Sequence, residues 1–333
     1  MPPKISVVLP FRRAASTLSR AIASMAEQSF SDWELILINH NASDESGAVA
    51  DEWAKQDSRI RVVFESRNGL VSALNRGLAE VRAPRVARMD ADDVSHPERL
   101  RQQYQFLLAY PKVAAVGCRV RYQAAEPQVG MQVYVDWINS LLTPDAIRRN
   151  QFVESPLAHP SVMFRTALLT RYGPYHAGDF PEDYELWLRW LSAGEKIAKC
   201  PEVLLDWHDS AQRLSRTHPA YQPEAFYRIK SKYLAQWLAR HNPFHPRVVV
   251  WGGGRKARQR MQMLEAYGIR ITALIDVVPN KTSVLPCIFY QDVAPPGRYF
   301  ILSYVGNRGK REEVREFLEQ RGYREAINFL LAA

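Results

Sequence analysis

Short apolar runs alternate with amphipathic segments along the N-terminal part of the chain. Residues 5–9 form a β-branched run closed by Pro10, which is typical of a buried parallel strand. Three further runs of this kind predict strands, at residues 34–38, 60–64 and 85–89. Amphipathic patterns between the runs predict helices, the first with Leu18, Ile22 and Met25 on its apolar side and the others over about 44–55 and 71–81. This alternation predicts an α/β fold with a doubly wound parallel sheet.

Polar clusters follow three of the four predicted strands, at residues 39–44, 66–69 and 90–93. In doubly wound folds, ligands bind beyond the carboxyl ends of the parallel strands, where the loops of neighbouring strands meet. We therefore expect the three clusters to line one shared pocket.

The cluster at 90–93 contains three carboxylates, those of Asp90, Asp92 and Asp93. Adjacent carboxylates repel each other and need water or a counter-charge, and oxygen-rich groups of this kind suit Mg²⁺ or Mn²⁺. The alternative is a solvated acidic turn in which Asp93 caps the helix that begins near His96 and Pro97. The preceding strand and the other polar clusters favour the metal site.

A second strand–helix pattern begins at residue 247 and is small. The strand at 247–251 leads directly into Gly252, Gly253 and Gly254, and a later strand at 271–275 ends at Asp276. This order fits a dinucleotide-binding fingerprint, in which glycines let the backbone approach phosphate at a helix N-terminus. Gly252 and Gly254 are therefore candidate nucleotide-binding residues. The alternative is a turn that only joins strand to helix in a packing or partner module.

Composition limits the classes of protein that remain. A length of 333 residues predicts about two domains, and 47% hydrophobic with 24% charged residues is typical of globular chains. No run of about 18 apolar residues suggests a membrane span, and the N-terminus lacks a secretory signal pattern. Three scattered cysteines do not suit a disulfide frame or a zinc site. We expect a cytoplasmic protein.

The net charge of +9 is unevenly distributed. Residues 247–333 hold 14 basic and 8 acidic residues, whereas residues 1–246 hold 30 basic and 27 acidic ones. Four of the C-terminal cations crowd the predicted helix start after the glycines, namely Arg255, Lys256, Arg258 and Arg260. Cations are unfavourable there unless an anion neutralises them, so a phosphate is the expected partner, ahead of a membrane surface.

The order and spacing of several motifs resemble a family-2 glycosyltransferase with the GT-A fold over about the first 216 residues. The motifs are the opening strand, Gln28–Leu37, Gly69–Gly77, Met89-Asp-Ala-Asp-Asp93, His159–Arg165 and Pro181-Glu-Asp-Tyr-Glu-Leu-Trp-Leu-Arg189. These motifs imply a GT-A catalytic domain at 1–218. The strand and glycine pattern after residue 247 resembles a small Rossmann-like domain at 247–333, and residues 219–246 are the connecting amphipathic helix and linker.

The resemblance implies roles for the acidic motifs. Asp90 and Asp92 would hold Mn²⁺ or Mg²⁺ against the diphosphate of a nucleotide-sugar donor, with Asp92 as the direct ligand. Asp183 would be the general base that deprotonates the acceptor hydroxyl in an inverting transfer. The alternative for Glu182 and Asp183 is that both acids only cap the following helix.

Two segments depart from the family pattern. His40 takes the place of an aspartate that commonly accepts a hydrogen bond from uracil, so the donor base stays open. The opening motif is Pro10, Phe11, Arg12 and Arg13, where Phe11 could lie against the base and Arg12 or Arg13 could reach phosphate. The alternative is that both arginines are ordinary surface charges. Arg67 of the third polar cluster is a further candidate for donor binding. His208 is a candidate metal or phosphate contact, with a structural role as the alternative.

We expect an acceptor that is a glycan or a lipid-linked sugar, shaped by aromatic residues within 120–158, and a role in surface polysaccharide synthesis. The rivals are a non-catalytic nucleotide-sugar-binding protein and an oxidoreductase using the C-terminal glycine loop. NAD(P) is not expected, because the C-terminal half has no Tyr-x-x-x-Lys or comparable pair. No nucleic acid is expected as a partner. Contact with the inner face of the membrane and homo-oligomer formation stay open.

Overall fold

A computed structural model describes residues 2–210, 213–278 and 284–333 of the chain. Its contacts divide the chain into two compact units. The first comprises Met1–Pro144, Pro156–Gly178 and Ala193–His218, and the second comprises Asp145–Ser155, Asp179–Ser192 and Pro219–Ala333.

Strands and helices alternate through most of the described chain. The strands are β1 Ile5–Phe11, β2 Trp33–Asn39, β3 Ile60–Phe64, β4 Arg85–Arg88, β5 Val94–Ser95, β6 Val113–Ala124, β7 Met163–Arg165, β8 Lys196–Asp209, β9 Arg247–Trp251, β10 Arg270–Asp276, β11 Cys287–Phe289, β12 Ile301–Ser303 and β13 Phe329–Leu331. The helices are α1 Leu18–Ala26, α2 Ser46–Gln56, α3 Leu70–Ala79, α4 Arg99–Ala109, α5 Val129–Ser140, α6 Pro144–Asn150, α7 Ala167–Tyr172, α8 Glu182–Ser192, α9 Leu214–Thr217, α10 Pro223–His241, α11 Arg255–Glu265 and α12 Lys310–Gln320. The predicted strands of the first unit are confirmed as β1 to β4.

The first unit is built on one mixed sheet with the strand order β3-β2-β1-β4-β7-β6-β8-β5. Strands β1 to β4 are parallel to one another, whereas β7 runs antiparallel to both β4 and β6. The registers align the strand ends, because Phe11 lies opposite Asn39 and Asn39 lies opposite Phe64. The loops after these strands therefore leave the sheet at one edge.

Close packing of helices on both apolar faces holds this sheet. All seven residues of β1 are buried, as expected for a central parallel strand. Gly77 of α3 lies so close to the sheet that an added Cβ would be 2.6 Å from Val8 Cγ1 and 2.8 Å from Ile38 Cδ1. Only a residue without a side chain fits at this contact, which fixes the distance between α3 and the strands.

The second unit contains a smaller sheet in which every described strand is parallel, in the order β11-β10-β9-β12-β13. Strands β10 and β11 lie on one side of β9 in the sheet, whereas β12 and β13 lie on the other side. The direction in which strands are added therefore reverses between β9 and β12. Helices α8 and α10 belong to the same unit, and the hydroxyl of Tyr233 on α10 donates to Glu185 on α8 at 2.5 Å. A small Rossmann-like sheet is thus present at the C-terminus, as predicted.

The compact units differ from the predicted linear segments 1–218, 219–246 and 247–333. Phe152, Tyr184 and Leu188 are buried in one apolar cluster with α10 and the second sheet. The hydroxyl of Tyr184 also donates to the backbone oxygen of Gln151 at 2.6 Å. Packing of these aromatic and aliphatic side chains therefore makes α8 and residues 145–155 part of the second unit, although in sequence they lie within the predicted first domain. In the described ranges, each helix is too short or too polar to span a membrane.

Candidate functional site

The four parallel strands of the first unit bring the predicted polar clusters to one edge of the sheet. Arg12 follows β1, His40 follows β2, Arg67 follows β3 and Asp90 follows β4. The aligned registers of β1, β2 and β3 and the parallel pairing of β1 with β4 account for this convergence. The predicted gathering of these loops is therefore observed.

The three aspartates after β4 form a tight oxygen cluster. Asp90, Asp92 and Asp93 each offer a carboxylate oxygen, and these oxygens lie within 4.8 Å of one another. Burial, and then the negative charge of Asp90, raise the pKa of Asp92 and raise the pKa of Asp93 well above its ordinary value. The set consists of hard oxygen donors held close together, so it fits Mg²⁺ or Mn²⁺.

Asp93 is held by a strand pairing that sequence alone does not reveal. The two-residue strand β5 pairs antiparallel with β8, with Val94 opposite Asp206. This pairing places the backbone N–H of His208 2.8 Å from Asp93 Oδ1. Asp93 Oδ2 is buried and has no hydrogen-bond partner among the described residues. Helix α4 has Glu98 as its N-cap residue, without a side-chain cap bond, so Asp93 does not cap it.

Arginines surround the acidic cluster. Arg88, on β4 and 3% exposed, forms an ion pair with Asp90. Arg20 donates from Nη2 to the backbone oxygen of Asp92 at 3.2 Å. Arg213 lowers the pKa of both Asp92 and Asp93, against the larger effects of burial and of the neighbouring carboxylate. Arg88 was not among the predicted site residues. An arginine within an apolar strand, two residues before an acidic triplet, is the signal that points to it.

His208 lies on β8 beside the acidic cluster. Its Nδ1 is 3.2 Å from the backbone oxygen of Asp206. Burial, and secondly the charge of Arg20, lower the pKa of the imidazole, so the ring is neutral near pH 7. Among the described residues, the close set of metal-type ligand atoms consists of the three aspartates and does not include His208. The backbone of His208 positions Asp93, and its ring as a metal ligand stays a prediction.

His40 is a buried polar residue at the edge of the site. The residue is 6% exposed, and its backbone N–H donates to the backbone oxygen of Phe11 at 3.2 Å. Its Nδ1 is buried and has no hydrogen-bond partner in the described structure. Burial, and then the charge of Arg12, lower the pKa of His40, while Glu65 acts in the opposite direction. The ring is thus a buried hydrogen-bonding group that is mostly neutral at pH 7.

The opening motif contributes backbone and charge at this edge. Phe11 is 2% exposed and packs in the apolar core of the first unit, so its ring face is not presented to a ligand. Pro10 is also buried, whereas Arg12 is exposed. The following loop is fastened to the loop after β2, because the Ala15 N–H donates to Asp44 Oδ2 at 3.1 Å. Arg12 and Arg13 are both exposed, so Arg12 stays a candidate for binding an anion.

Arg67 is engaged by a neighbouring carboxylate. Its Nη2 lies 2.8 Å from Glu65 Oε2, while 70% of its side chain remains exposed. The hydrogen bonds from Arg67 lower the pKa of Glu65 to about 2. Glu65 is therefore ionised and holds the guanidinium at the loop after β3, which leaves the exposed part of Arg67 as the donor-binding candidate.

Asp183 occupies the first turn of α8 in the second unit. Its Oδ1 accepts the backbone N–H of Tyr184 at 2.6 Å, and the residue is half-buried. The flanking acids are more deeply buried, and each accepts a tyrosine hydroxyl at 2.5 Å, Glu182 from Tyr221 and Glu185 from Tyr233. The two glutamates thus have structural partners, and Asp183 is the acid of this turn that is most accessible.

Aromatic residues line the first unit near β8. The ring of Tyr134 on α5 lies 6.0 Å from Trp137 and 6.4 Å from Trp207, measured between centroids. Arg213 stacks over Trp207 at 4.9 Å. The hydroxyl of Tyr122 donates to Asp209 Oδ2 at 2.8 Å. These rings join residues 120–158 to the strand that carries His208.

The glycine-rich turn lies in the second unit, after β9. Gly252 has φ +109°, a backbone conformation that favours glycine, and Gly254 is the N-cap residue of α11. Arg258 donates from Nε to the Gly253 oxygen at 3.1 Å. The predicted strand–glycine–helix order is therefore present, and ligand binding by Gly252 and Gly254 stays a prediction.

Two solved structures share the fold. TarS residues 1–349 of S. aureus, in complex with UDP-GlcNAc, matches with a TM-score of 0.58 and 16% identity over 79% of this chain and 71% of TarS. The mannosyltransferase PcManGT of Pyrobaculum calidifontis, in complex with GDP-Man and Mn²⁺, matches with a TM-score of 0.52 and 20% identity over 72% and 64%. These likenesses confirm the predicted GT-A fold class.

Sequence comparison gives the family. The amylovoran biosynthesis glycosyltransferase AmsE of Erwinia amylovora is 31% identical over 189 residues, which cover 56% of this chain and 69% of AmsE. The O-antigen biosynthesis glycosyltransferase WbnJ of Escherichia coli is 28% identical over 232 residues, covering 68% and 87%. The family model described as glycosyl transferase family 2 matches residues 6–173. The chain therefore belongs to glycosyl transferase family 2 and is a glycosyltransferase.

Proposed function

We propose that this enzyme is a metal-dependent, inverting glycosyltransferase that transfers a sugar from a nucleotide-diphosphate donor to a hydroxyl group. The acceptor is a glycan or a lipid-linked sugar in surface polysaccharide synthesis. The observation that carries the proposal is the oxygen cluster of Asp90, Asp92 and Asp93 at the carboxyl edge of the parallel sheet.

The cluster is costly to the protein in the absence of a cation. Three carboxylates lie within 4.8 Å, and burial together with mutual repulsion raises the pKa of Asp92 and Asp93. A bound Mg²⁺ or Mn²⁺ would neutralise the carboxylates and supply positive charge for the leaving diphosphate. Asp90 and Asp92 would hold it, and Asp93, fixed by the His208 backbone, would orient the turn. The PcManGT structure contains Mn²⁺, which supports this assignment by likeness.

The donor nucleotide would lie along the loops after β1, β2 and β3. Buried His40 offers a neutral ring nitrogen to the edge of a base, and exposed Arg12 offers charge to a phosphate. The solved relatives contain UDP-GlcNAc and GDP-Man, so either base type is compatible with this fold. Because His40 replaces the usual aspartate, we leave the donor base open and propose to determine it with the donor panel below.

Asp183 would accept the proton of the attacking hydroxyl. A general base must be ionised and accessible, and Asp183 is more exposed than Glu182 or Glu185 in the same helical turn. Its position in the first turn of α8 favours the carboxylate form, because the helix dipole stabilises negative charge there. The acceptor would use the aromatic faces of Tyr134 and Trp137, which are half-buried and suit sugar rings. The relatives named for amylovoran and O-antigen biosynthesis support a glycan product.

The decisive experiment is a transfer assay with a panel of nucleotide sugars, with Mn²⁺, Mg²⁺ or EDTA. We expect turnover of one donor, abolished by EDTA and lowered by at least about a hundredfold in Asp92→Asn and Asp183→Asn. The matched control is Asp51→Asn on the exposed side of α2, which should keep full activity. Inversion is read from the anomeric configuration of the product by NMR.

Each part of the proposal has its own contrary result. Full activity in Asp183→Asn would remove that residue as the base, and activity that survives EDTA would remove the metal. Donor binding without turnover of any acceptor would indicate a non-catalytic nucleotide-sugar-binding protein. Binding of NAD(P)H in place of every nucleotide sugar would point to an oxidoreductase instead.

A further inference from the structure

The strand order of the second sheet reverses at a position that has no role in the proposed transfer. Strands β9 and β12 are neighbours, and the chain leaves them toward opposite sides of the sheet. In open parallel sheets, ligands bind at such a switch point, beyond the carboxyl ends of the two strands. Here the turn at Gly252 follows β9, and residues 304–309 follow β12.

The two loops lie in contact at this point. A Cβ on Gly252 would meet the Val305 side chain at 3.5 Å and the Tyr304 carbonyl carbon at 3.7 Å. A Cβ on Gly306 would lie 3.5 Å from Arg260 Nη1. Glycines at both loops thus leave the backbone accessible beside a guanidinium, as phosphate-binding turns require.

Cations are gathered behind these loops. Lys230 of α10 and Arg311 of α12 are each 2% exposed. Lys230 Nζ and Arg260 Cζ both lie 3.9 Å from the centroid of the Tyr227 ring. Arg260 also donates from Nη1 to the Tyr304 oxygen at 3.3 Å. Positive charges from three different helices therefore converge at the end of β12.

The carboxylates nearby do not balance this charge. Glu154 pairs with Arg308 at 3.2 Å, and Glu312 pairs with Arg311 at 2.9 Å. Among the described side chains, none of the carboxylates comes within ion-pair distance of Lys230 or Arg260. Lys230 donates instead to the backbone oxygens of Val153, at 2.9 Å, and Ala332, at 3.2 Å. Burial, and then the charge of Arg260, lower the pKa of Lys230 well below its ordinary value, and a bound anion would offset the repulsion between these two side chains.

We propose that the carboxyl edge of the second sheet, lined by Gly252, Gly306 and Arg260 with buried Lys230 behind them, binds the diphosphate group of a small ligand. Arg260 has no carboxylate within ion-pair distance among the described side chains, which favours an anionic ligand. The amides at the N-terminus of α11, which has no side-chain cap and no acid in its first turn, add donors for the same group. This site and the acidic cluster of the first unit consist of different residues, and the proposal does not depend on the transfer reaction.

Isothermal titration of the full chain tests the proposal. The Asp92→Asn variant in EDTA is titrated with inorganic diphosphate, UDP and geranyl diphosphate, so that metal-dependent donor binding does not contribute. We expect one site that binds diphosphate and is weakened about tenfold to a hundredfold by Arg260→Gln, the usual effect of losing a charge-assisted hydrogen bond. Arg260→Lys should keep part of the affinity. Arg270→Gln, an exposed arginine at the opposite end of β10, should leave it unchanged.

The three probes also distinguish the source of the diphosphate. Binding of UDP at least tenfold tighter than inorganic diphosphate supports a nucleotide ligand, and tighter binding of geranyl diphosphate supports a lipid-linked one. No binding of any probe overturns the proposal. Binding that Arg260→Gln leaves unchanged overturns it as well, provided that the melting temperature shows the variant to be folded. Because the transfer assay is a separate measurement, failure here leaves the proposed function intact.

Discussion

His40 gives the sharpest test of donor recognition, because the structure predicts opposite effects of one substitution on folding and on binding. Its ring is buried, neutral and has an Nδ1 without a hydrogen-bond partner among the described residues. An unpaired buried polar group costs about 1–3 kcal/mol, which a ligand recovers by supplying the missing partner. Phenylalanine has a similar shape but no ring nitrogen. His40→Phe therefore removes the cost in the free enzyme and the gain in the complex.

The expected result is a donor KM that rises about 5- to 150-fold with kcat nearly unchanged, since 1–3 kcal/mol of binding is lost. The free variant should melt no lower than the parent enzyme. His40→Asn, which restores a side-chain donor and acceptor, should recover part of the affinity and change the ranking of nucleotide bases. Steady-state kinetics with the donor panel and thermal melts without ligand provide both readings.

The pH dependence follows from the direction of the shift. Burial and Arg12 lower the pKa of His40, so the neutral ring predominates in the folded protein at pH 6.5 and above. The unfolded chain binds the extra proton between the lowered pKa and 6.5, so this residue's contribution to stability rises with pH across that window. The parent donor KM should be flat above pH 6.5. An unchanged donor KM in His40→Phe would refute contact between the ring and the base. A higher KM together with a lower melting temperature would assign the ring a structural role.

Two further predictions concern stability. Burial lowers the pKa of Lys199 to about 7, so between pH 7 and the ordinary lysine pKa the unfolded chain binds more protons than the folded protein, and the cost of burying this amine is greatest below pH 7. Lys199→Met should therefore raise the free energy of unfolding by about 1–4 kcal/mol at pH 7 and by less at pH 10, measured by urea titration. An equal gain at both pH values would contradict this origin. Gly77→Ala should lower the free energy of unfolding by about 1–3 kcal/mol, because the added Cβ would contact Val8 and Ile38. The control is Gly130→Ala, whose added Cβ meets no atom within 4 Å and which should raise the free energy of unfolding by up to about 1 kcal/mol in the same urea titrations. Similar effects of the two substitutions would disprove the packing argument.

Parallel-sheet geometry explains why much of the first unit was predictable. Three of the four strand-like runs end in a polar cluster, and parallel strands put their carboxyl ends at one edge, so the sequence predicts that His40, Arg67 and Asp90 gather there. What the pattern did not contain was the orientation of single side chains. Phe11 is the last residue of β1, and its ring packs into the core, a choice that the local sequence leaves open.

Long-range pairings were outside the reach of sequence patterns. The bond from the His208 backbone to Asp93 depends on a two-residue strand, β5, which is too short to produce any periodicity. The membership of α8 in the second unit depends on Tyr184 and Leu188 packing with α10, which begins more than thirty residues later. Both features depend on tertiary contacts. An amphipathic pattern predicts that a helix has an apolar face but does not predict which element packs against it.

The uneven charge of the sequence takes on a different meaning in the fold. The crowding of Arg255, Lys256, Arg258 and Arg260 suggested phosphate at the helix start, but the four have different surroundings. Arg258 bonds the Gly253 oxygen, whereas Arg260 points behind the turn to Tyr227 and Tyr304. Lys230, thirty residues before Arg260, lies against the same ring. The cation density that matters is thus built from α10, α11 and α12, so the anion is expected at the switch point between β9 and β12 and not at the helix start alone.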